Sequence, residues 1–265
     1  MLISSPQNPR IKSLKKLDKA ASRLEQGLFV IEGLRELCLA DRVGYDITQL
    51  FICEELIKSD ETYNIHNCKL ENTEIYTITR EVYESIAYRG TTEGVIATSR
   101  PKAHPLDMLR LSEHPLILVI EGVEKPGNLG AMLRTCDATA VDAVILCDTK
   151  TDIYNPNVVR SSIGTVFTSQ IAIASTPDVV HFLKGAGIKT YAADLTAAHS
   201  HFSRDFSAPT AIVVGDEATG LSRAWVEAAD DRIKIPMLSR IDSLNVSVSA
   251  AVLLYEAIRQ RTVRH

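Results

Sequence analysis

Little in this sequence supports cross-linking or metal binding. Its five cysteines (Cys38, Cys53, Cys68, Cys136, Cys147) are odd in number, widely spaced and free of any C-x-x-C, so neither a disulfide framework nor a zinc cluster is suggested. A reducing cytosol fits that usage. Long apolar runs are also missing. The densest, 116–120, falls far below the ~20 residues needed to span a bilayer, and the opening MLISSPQNPRIK has no apolar h-region. Neither export nor a membrane partner is expected, and the expected location is cytoplasmic. A basic excess is absent too: Lys plus Arg number 29 against 33 Asp plus Glu, a net charge of −4, so no global field announces a polyanionic partner. Hydrophobic residues at 45% and charged residues at 23% exclude disorder and collagen-like repeats. With ~150 residues per domain as a prior, 265 residues point to two domains.

Basic charge is instead local. Residues 1–26 hold Arg10, Lys12, Lys15, Lys16, Lys19 and Arg23 against only Asp18 and Glu25, leaving the remainder acidic. Over 9–26, Ile11, Leu14, Leu17, Ala21 and Leu24 recur at spacings of three and four with lysines between them, the pattern of one amphipathic helix with a basic outer face, started by Asn8-Pro9. That face could track phosphates or simply be solvated. Short β-prone runs follow at 28–31, 47–53, 75–78 and 94–99, with helical patterns at 33–42 and 80–88, so residues 1–100 read as a small α/β domain. Pro101, Pro105 and Pro115 punctuate a linker over 101–115. In 116–265, strand candidates at 116–120, 143–147, 170–173, 189–193, 211–214 and 232–235 alternate with helical segments near 127–139, 156–163, 177–186, 221–229 and 243–261. This alternation predicts an α/β domain with a mostly parallel sheet covered on both faces.

In such sheets ligands bind beyond the carboxyl ends of the strands, so the loops that follow strands are the places to inspect. The stretch Glu121-Gly-Val-Glu-Lys-Pro-Gly-Asn-Leu-Gly-Ala-Met-Leu-Arg134 runs from a strand into a helix whose start could receive an anion. Arg134 lies about one turn beyond Gly130. The glycine spacing is neither a dinucleotide fingerprint nor a P-loop, and a plain turn with a solvated arginine remains open. In Val213-Val-Gly-Asp-Glu-Ala-Thr-Gly-Leu-Ser222, Gly215 and Gly220 flank two carboxylates. Glu217 could act as a base or orient a hydroxyl, or the segment could be a turn with Ser222 capping the next helix. The third stretch runs from Ile235-Pro-Met to Ser243-Leu-Asn245 and enters an uncharged helix, where Ser243 and Asn245 could equally be caps. His199-Ser-His201 lacks supporting ligands, and no metal is expected.

Together the three loops are specific. Asn128-x-Gly130-x-x-x-Arg134, Gly215-x-Glu217-x-x-Gly220, and Ile235-Pro236-Met237 followed by Ser243-Leu244-Asn245-Val246-Ser247 resemble, in order and separation, the three motifs of the SpoU (TrmH) family of S-adenosylmethionine-dependent RNA ribose 2′-O-methyltransferases. Asn155-Pro156 with Arg160-Ser161-Ser162-Ile163-Gly164 resembles the family's segment between the first two motifs. Asn8-Pro9-x-Ile11-Lys12 and Phe29-x-x-Glu32-Gly33 are similar to its N-terminal substrate-binding domain, and Gly94-Val95 to that domain's end, with Thr92-Glu93 where other residues are commoner. Ser239 stands where the family usually has glycine.

The resemblance implies a C-terminal sheet threaded into a deep trefoil knot, a homodimer through that domain, S-adenosylmethionine as cofactor, and RNA, with ribosomal RNA favoured, as substrate. It implies that Val214, Gly215, Gly220, Ile235, Met237 and Leu244 hold the cofactor. Arg134, Glu217, Ser243, Asn245 and Asn128 would form the catalytic group. In the family the residue matching Arg134 is implicated in activating the hydroxyl, but a guanidinium is an implausible resting base, so phosphate clamping is expected of Arg134. Asn128 would support Arg134, Ser243 and Asn245 would orient Arg134 or the ribose, and Glu217 would fix its loop. Arg10, Lys12, Lys15, Lys16, Lys19 and Arg23 are the expected RNA contacts. A tRNA ribose methyltransferase, a non-catalytic RNA-binding protein that keeps the fold, and a nucleotide-binding α/β enzyme of other chemistry stay open as alternatives.

Overall fold

The computed structural model describes residues 1–57, 64–70, 72–88 and 93–263. Thr92 lies outside them. In chain order the elements are β1 (Leu2–Ile3), α1 (Pro9–Lys16), α2 (Ala20–Gln26), β2 (Phe29–Glu32), α3 (Leu34–Arg42), β3 (Ile47–Ile52), β4 (Glu74–Ile78), α4 (Arg80–Ile86) and β5 (Val95–Ser99). They continue with β6 (Leu116–Glu121), α5 (Pro126–Ala138), β7 (Ala143–Cys147), α6 (Pro156–Ser161), α7 (Thr165–Thr168), β8 (Ile171–Ala174) and α8 (Thr176–Gly185). Last come β9 (Lys189–Ala193), β10 (His199–Ser200), β11 (Thr210–Val214), α9 (Arg223–Ala228), β12 (Asp231–Lys234) and α10 (Val246–Val263). The strands β7 and β9 fall on their expected spans; β1, β10 and α7 are too short to leave a periodic signal.

The chain divides into two compact units, residues 1–103 with 152–168, and residues 104–151 with 169–265. In the first, a five-stranded sheet has the order β1-β4-β3-β5-β2, with β1, β4 and β3 parallel and β5 antiparallel to both β3 and β2. Helix α1 begins as anticipated, the Asn8 side chain accepting from Arg10 N–H at 2.9 Å ahead of Pro9. Its Ile11 and Leu14, together with Leu17, are buried in one cluster with Phe51, Tyr76, Val82 and Ile96.

The single helix expected over 9–26 is two helices. The chain breaks at 17–19, and this rotates the second helix so that Leu24 stands 87% exposed while Arg23 turns inward at 5% exposure. Arg23 Nη1 donates to Leu17 O at 2.7 Å and Asp18 O at 2.9 Å, capping the end of α1, and its Nε pairs with Asp152 Oδ2 at 2.7 Å. Arg23 is therefore withdrawn from the expected nucleic-acid contacts. Lys12, Lys15, Lys16 and Lys19 remain exposed, as does Arg10, although Arg10 Nε is committed to Tyr76 Oη at 2.7 Å.

The partner Asp152 opens a second departure, because the contiguous domain expected over 116–265 lends 152–168 to the first unit. Aromatic packing holds this segment there. Tyr154 stacks on Phe29 at 4.3 Å, Tyr45 meets Phe167 edge-on at 5.1 Å, and the Tyr45 and Tyr154 hydroxyls lie 3.1 Å apart. Gly164, with φ +83°, passes so close to α3 that a Cβ would sit 2.9 Å from Leu39 Cδ1.

In the second unit seven parallel strands take the order β10-β12-β9-β11-β6-β7-β8. The residues of β6, β7 and β11 are buried on both faces. Ile117, Val119, Ile145 and Val213 cluster with Val179 and Leu183 of α8 and Trp225 of α9, while α10 packs on β11 and on α5. Each such fully buried aliphatic side chain contributes about 1.5–3 kcal/mol, so the strand ends are set on a rigid platform. His199 and Ser200 form the edge strand β10, and His201 is buried with its Nδ1 3.3 Å from Lys234 O.

Replacing Arg23 with Ala removes both the cap and the ion pair. The expected outcome is a loss of about 2–3 kcal/mol in denaturant unfolding, against less than about 0.5 kcal/mol for Lys15→Ala on the exposed face.

Candidate active site

Beyond the carboxyl ends of β9, β11 and β12 lies a cavity of about 500 Å³, inside the range of small-molecule sites, ~300–1,000 Å³. Val214, Gly215, Gly220, Ile235, Met237 and Leu244, the six residues expected at a cofactor, all line it, together with Glu217 and Ser243. Its shape comes from the turn after β11. Gly220 N–H donates to Asp216 O at 2.9 Å, and Asp216 Oδ1 accepts from Ala218 N–H at 2.9 Å and Thr219 N–H at 3.3 Å. The Ala218 N–H, first among these donors, helps hold the Asp216 carboxyl below its ordinary range. A Cβ on Gly215 would fall onto the Gly220 carbonyl and within 2.7 Å of Leu221 N, so only glycine lets the loop fold back over the strand end. The turn's exit is fastened by Glu121, buried at the end of β6, which accepts from Ser222 N–H at 2.7 Å and Thr176 Oγ1 at 3.0 Å. Ser222 precedes α9 but makes no side-chain cap.

A second feature adjoins the cavity. Glu217 Oε1 accepts from Asn245 Nδ2 and from Val246 N–H at 3.4 Å, its Oε2 accepts from Lys125 Nζ at 2.5 Å, and Asn128 also bonds its carboxylate. Asn245 Nδ2 donates further to Asn128 Oδ1 at 3.1 Å. Three segments thus meet on one carboxylate, Lys125 lying 92 residues before Glu217 and Asn245 28 after it. The Lys125 ammonium is the main reason that the Glu217 carboxyl is held below its ordinary range. Asn245 is cap and cluster member at once: its Oδ1 accepts from Ser247 N–H at 3.0 Å and Ser247 Oγ at 2.6 Å at the start of α10, leaving Nδ2 for the cluster.

Asn128 supports Asn245 and Glu217 and makes no bond to Arg134, for a simple reason. Six residues apart on α5, the two point about 120° apart around the helix. Arg134 is exposed and has no side-chain hydrogen bond or ion pair among the described residues, and Ser243 likewise has none. Ser239 is not among the residues with positive φ, which among the described non-glycines are Ala140, Asp148 and Ile163, so a serine is accommodated there without left-handed strain.

Sequence reasoning passed over Lys125, whose signal was its place immediately before a helix-starting proline. It also passed over Asp194 at the end of β9, which lines the cavity and accepts from Thr196 N–H at 2.8 Å and Arg232 Nη1 at 3.0 Å. The rule that ligands sit at strand ends would have found it. Among the described residues no group of three or more His, Cys, Asp or Glu could hold a metal, and all five cysteines are free thiols.

A parallel α/β sheet carrying a small-molecule cavity at its strand ends, with an ordered carboxylate–amide cluster beside it, defines a ligand-binding enzyme of the open-sheet class. Residues 115–255 match the SpoU rRNA Methylase family and residues 8–97 the MRM3-like substrate binding domain, and the chain belongs to the SpoU rRNA methylase family. It is 30% identical to the 23S rRNA (guanosine(2553)-2′-O)-methyltransferase RlmP of Bacillus subtilis, over 96% of this chain and 97% of that one. A crystal structure of an RNA 2′-O ribose methyltransferase superposes with a TM-score of 0.86 at 38% identity, covering 99% of this chain and 100% of the other. The SpoU methyltransferase AviRb from Streptomyces viridochromogenes, in complex with AdoMet, does so with a TM-score of 0.86 at 28% identity, covering 97% and 99%.

Gly215→Ala is expected to weaken binding of S-adenosylmethionine, measured by calorimetry, by tenfold or more, because the added methyl must push the Gly220 backbone into the cavity. The thermal transition should move by only a few degrees.

Proposed function

We propose that this chain transfers a methyl group from S-adenosylmethionine to a ribose 2′-oxygen of ribosomal RNA in the cytoplasm. The observation that carries the reading is that residues from two separate loops, 214–220 and 235–244, expected at a cofactor from their motifs alone, line one cavity. Their chemistry fits the group: backbone at Val214, Gly215 and Gly220 would meet its polar edges, and Ile235, Met237 and Leu244 supply an apolar slot for an adenine. When bound, the cofactor supplies a methyl activated by a sulfonium centre.

The protein's own part is positioning. A carboxyl held as low as that of Glu217 is poorly matched to taking a proton near neutral pH, so Glu217 acts through the loops that it ties together. Arg134, unpaired and exposed, presents a planar fork suited to two oxygens of the phosphate beside the reacting ribose. A guanidinium is an implausible resting base, so the hydroxyl's proton passes to that phosphate or to water. Ser243 orients the ribose, and Asn245 and Asn128 hold the wall against which it rests.

Ribosomal RNA is favoured over transfer RNA by the match of residues 8–97 to a substrate-binding domain and by the 23S rRNA named for the Bacillus relative. Family membership supports a C-terminal sheet threaded as a deep trefoil knot, with the segments 215–221 and 235–245 belonging to it. A homodimer through this unit is supported by Leu238, Val248 and Tyr255, which stand 97%, 47% and 54% exposed.

With tritiated cofactor and a 23S rRNA transcript, Arg134→Ala and Arg134→Lys should each lower kcat/KM by about 10²-fold while cofactor affinity stays within twofold, because lysine keeps the charge and loses the fork. Near wild-type turnover of the lysine variant would refute the clamp. Deleting residues 1–26 would strip Ile11, Leu14 and Leu17 from the core, so the basic face is tested by substitution. Lys12→Ala, Lys15→Ala and Lys16→Ala together should flatten the slope of log K on log salt by about 0.7 per lost phosphate contact.

A further inference from the structure

Between α1, α2 and the sheet of the first unit lies a second cavity, of about 300 Å³, lined by Arg10, Ser13, Leu14, Gln26, Leu28 and Gln49 among others. Leu14 and Leu28 make it partly apolar, and its polar groups are set in advance. Ser13 Oγ donates to Gln26 Oε1 at 2.8 Å, which turns the Gln26 amide N–H groups outward. Gln49 Nε2 donates to Glu74 Oε2 at 3.2 Å, so Gln49 presents its carbonyl oxygen. Arg10 Nε is spent on Tyr76 Oη, which itself donates to Glu74 Oε2 at 2.6 Å, leaving the terminal guanidinium nitrogens. None of these presented groups has a partner among the described residues. The strand register shifts between Ile47 and Gln49, a bulge that re-aims the Gln49 side chain beside its cross-strand partner Thr98, another lining residue.

Two donors and one acceptor around an apolar floor complement a group with two acceptors and one donor. That is the Watson–Crick edge of uracil, a carbonyl on each side of an imino N–H. The exposed Lys12, Lys15 and Lys16 lie on the same helix as Arg10 and can take the phosphates on either side of such a base. We propose that this cavity receives one unstacked uracil of the RNA, read by Arg10, Gln26 and Gln49. The inference rests on the RNA-modifying reading above and adds a base-selective contact remote from the methyl-transfer motifs. Single-stranded bases flipped from loops are the usual targets of sequence-specific RNA recognition, and pre-set amides avoid the ordering cost of free side chains.

The test uses the full chain and fluorescence anisotropy with single-stranded oligouridylate and oligocytidylate octamers. The wild type should bind the uridine octamer about tenfold more tightly. Gln49→Leu and Gln26→Leu, on separate elements in case one variant fails to fold, should each erase that preference and leave the salt slope unchanged. Equal wild-type affinity for the two octamers overturns the proposal, as does a Gln49→Leu variant that keeps the preference. So does a parallel loss for both octamers accompanied by a changed salt slope. If neither octamer binds while an rRNA transcript is still methylated, the uracil site is refuted and the enzymatic reading stands; if neither binding nor methylation is seen, both fail.

Discussion

The carboxylate of Glu217 is the point at which the second unit becomes a site. Lys125 reaches it from the start of α5, Asn128 from the first turn of the same helix, and Asn245 and Val246 from the start of α10. Each of these groups lies on a loop or helix end that could otherwise adopt several conformations. Together they fix how the turn after β11 stands against two helices, at a charge kept ionised by the neighbouring ammonium. The cavity beside it depends on the same turn, because Gly215 and Gly220 must lie back to back for Val214 and Ile235 to share one opening. A chemistry that relies on holding two substrates in line needs such a fixed frame more than it needs a strong base.

That frame stands on the parallel sheet. Strands buried on both faces, as β6, β7 and β11 are, cannot shift register without moving an apolar side chain into the wrong layer, so the end of β11 is held in step with β6. Glu121 extends this rigidity past the strand end by binding Ser222 N–H across from β6. Loops carry the function and strands carry the precision, as in other open α/β sheets.

The sequence made the motif loops legible because their glycines, prolines and carboxylates sit at spacings that ordinary turns do not repeat three times in order. It also made Asn245 and Ser243 ambiguous, since a polar residue before an apolar helix is usually a cap; Asn245 caps α10 with its amide oxygen and binds Glu217 with its amide nitrogen. The basic helix was misread for an instructive reason. A three-and-four periodicity continues through 17–19 on paper, but a short turn there rotates everything beyond it, so Leu24 goes out to solvent and Arg23 turns inward to pair with Asp152. Nothing local in 152–168 tells that this segment packs with β2 and α3, because the aromatic partners Phe29 and Tyr45 lie more than a hundred residues away.

By itself, the sequence determined an α/β chain with a mostly parallel sheet in its later part, and the three glycine-, proline- and carboxylate-bearing loops that follow strands, because periodicity and turn chemistry are local properties of the chain. Only the tertiary structure decided that Glu217 is an anchor bound by Lys125, Asn128 and Asn245, that Asn128 turns away from Arg134, and that Arg23 is core. Those outcomes depend on which distant groups arrive within hydrogen-bonding distance, and that is set by strand order and helix rotation.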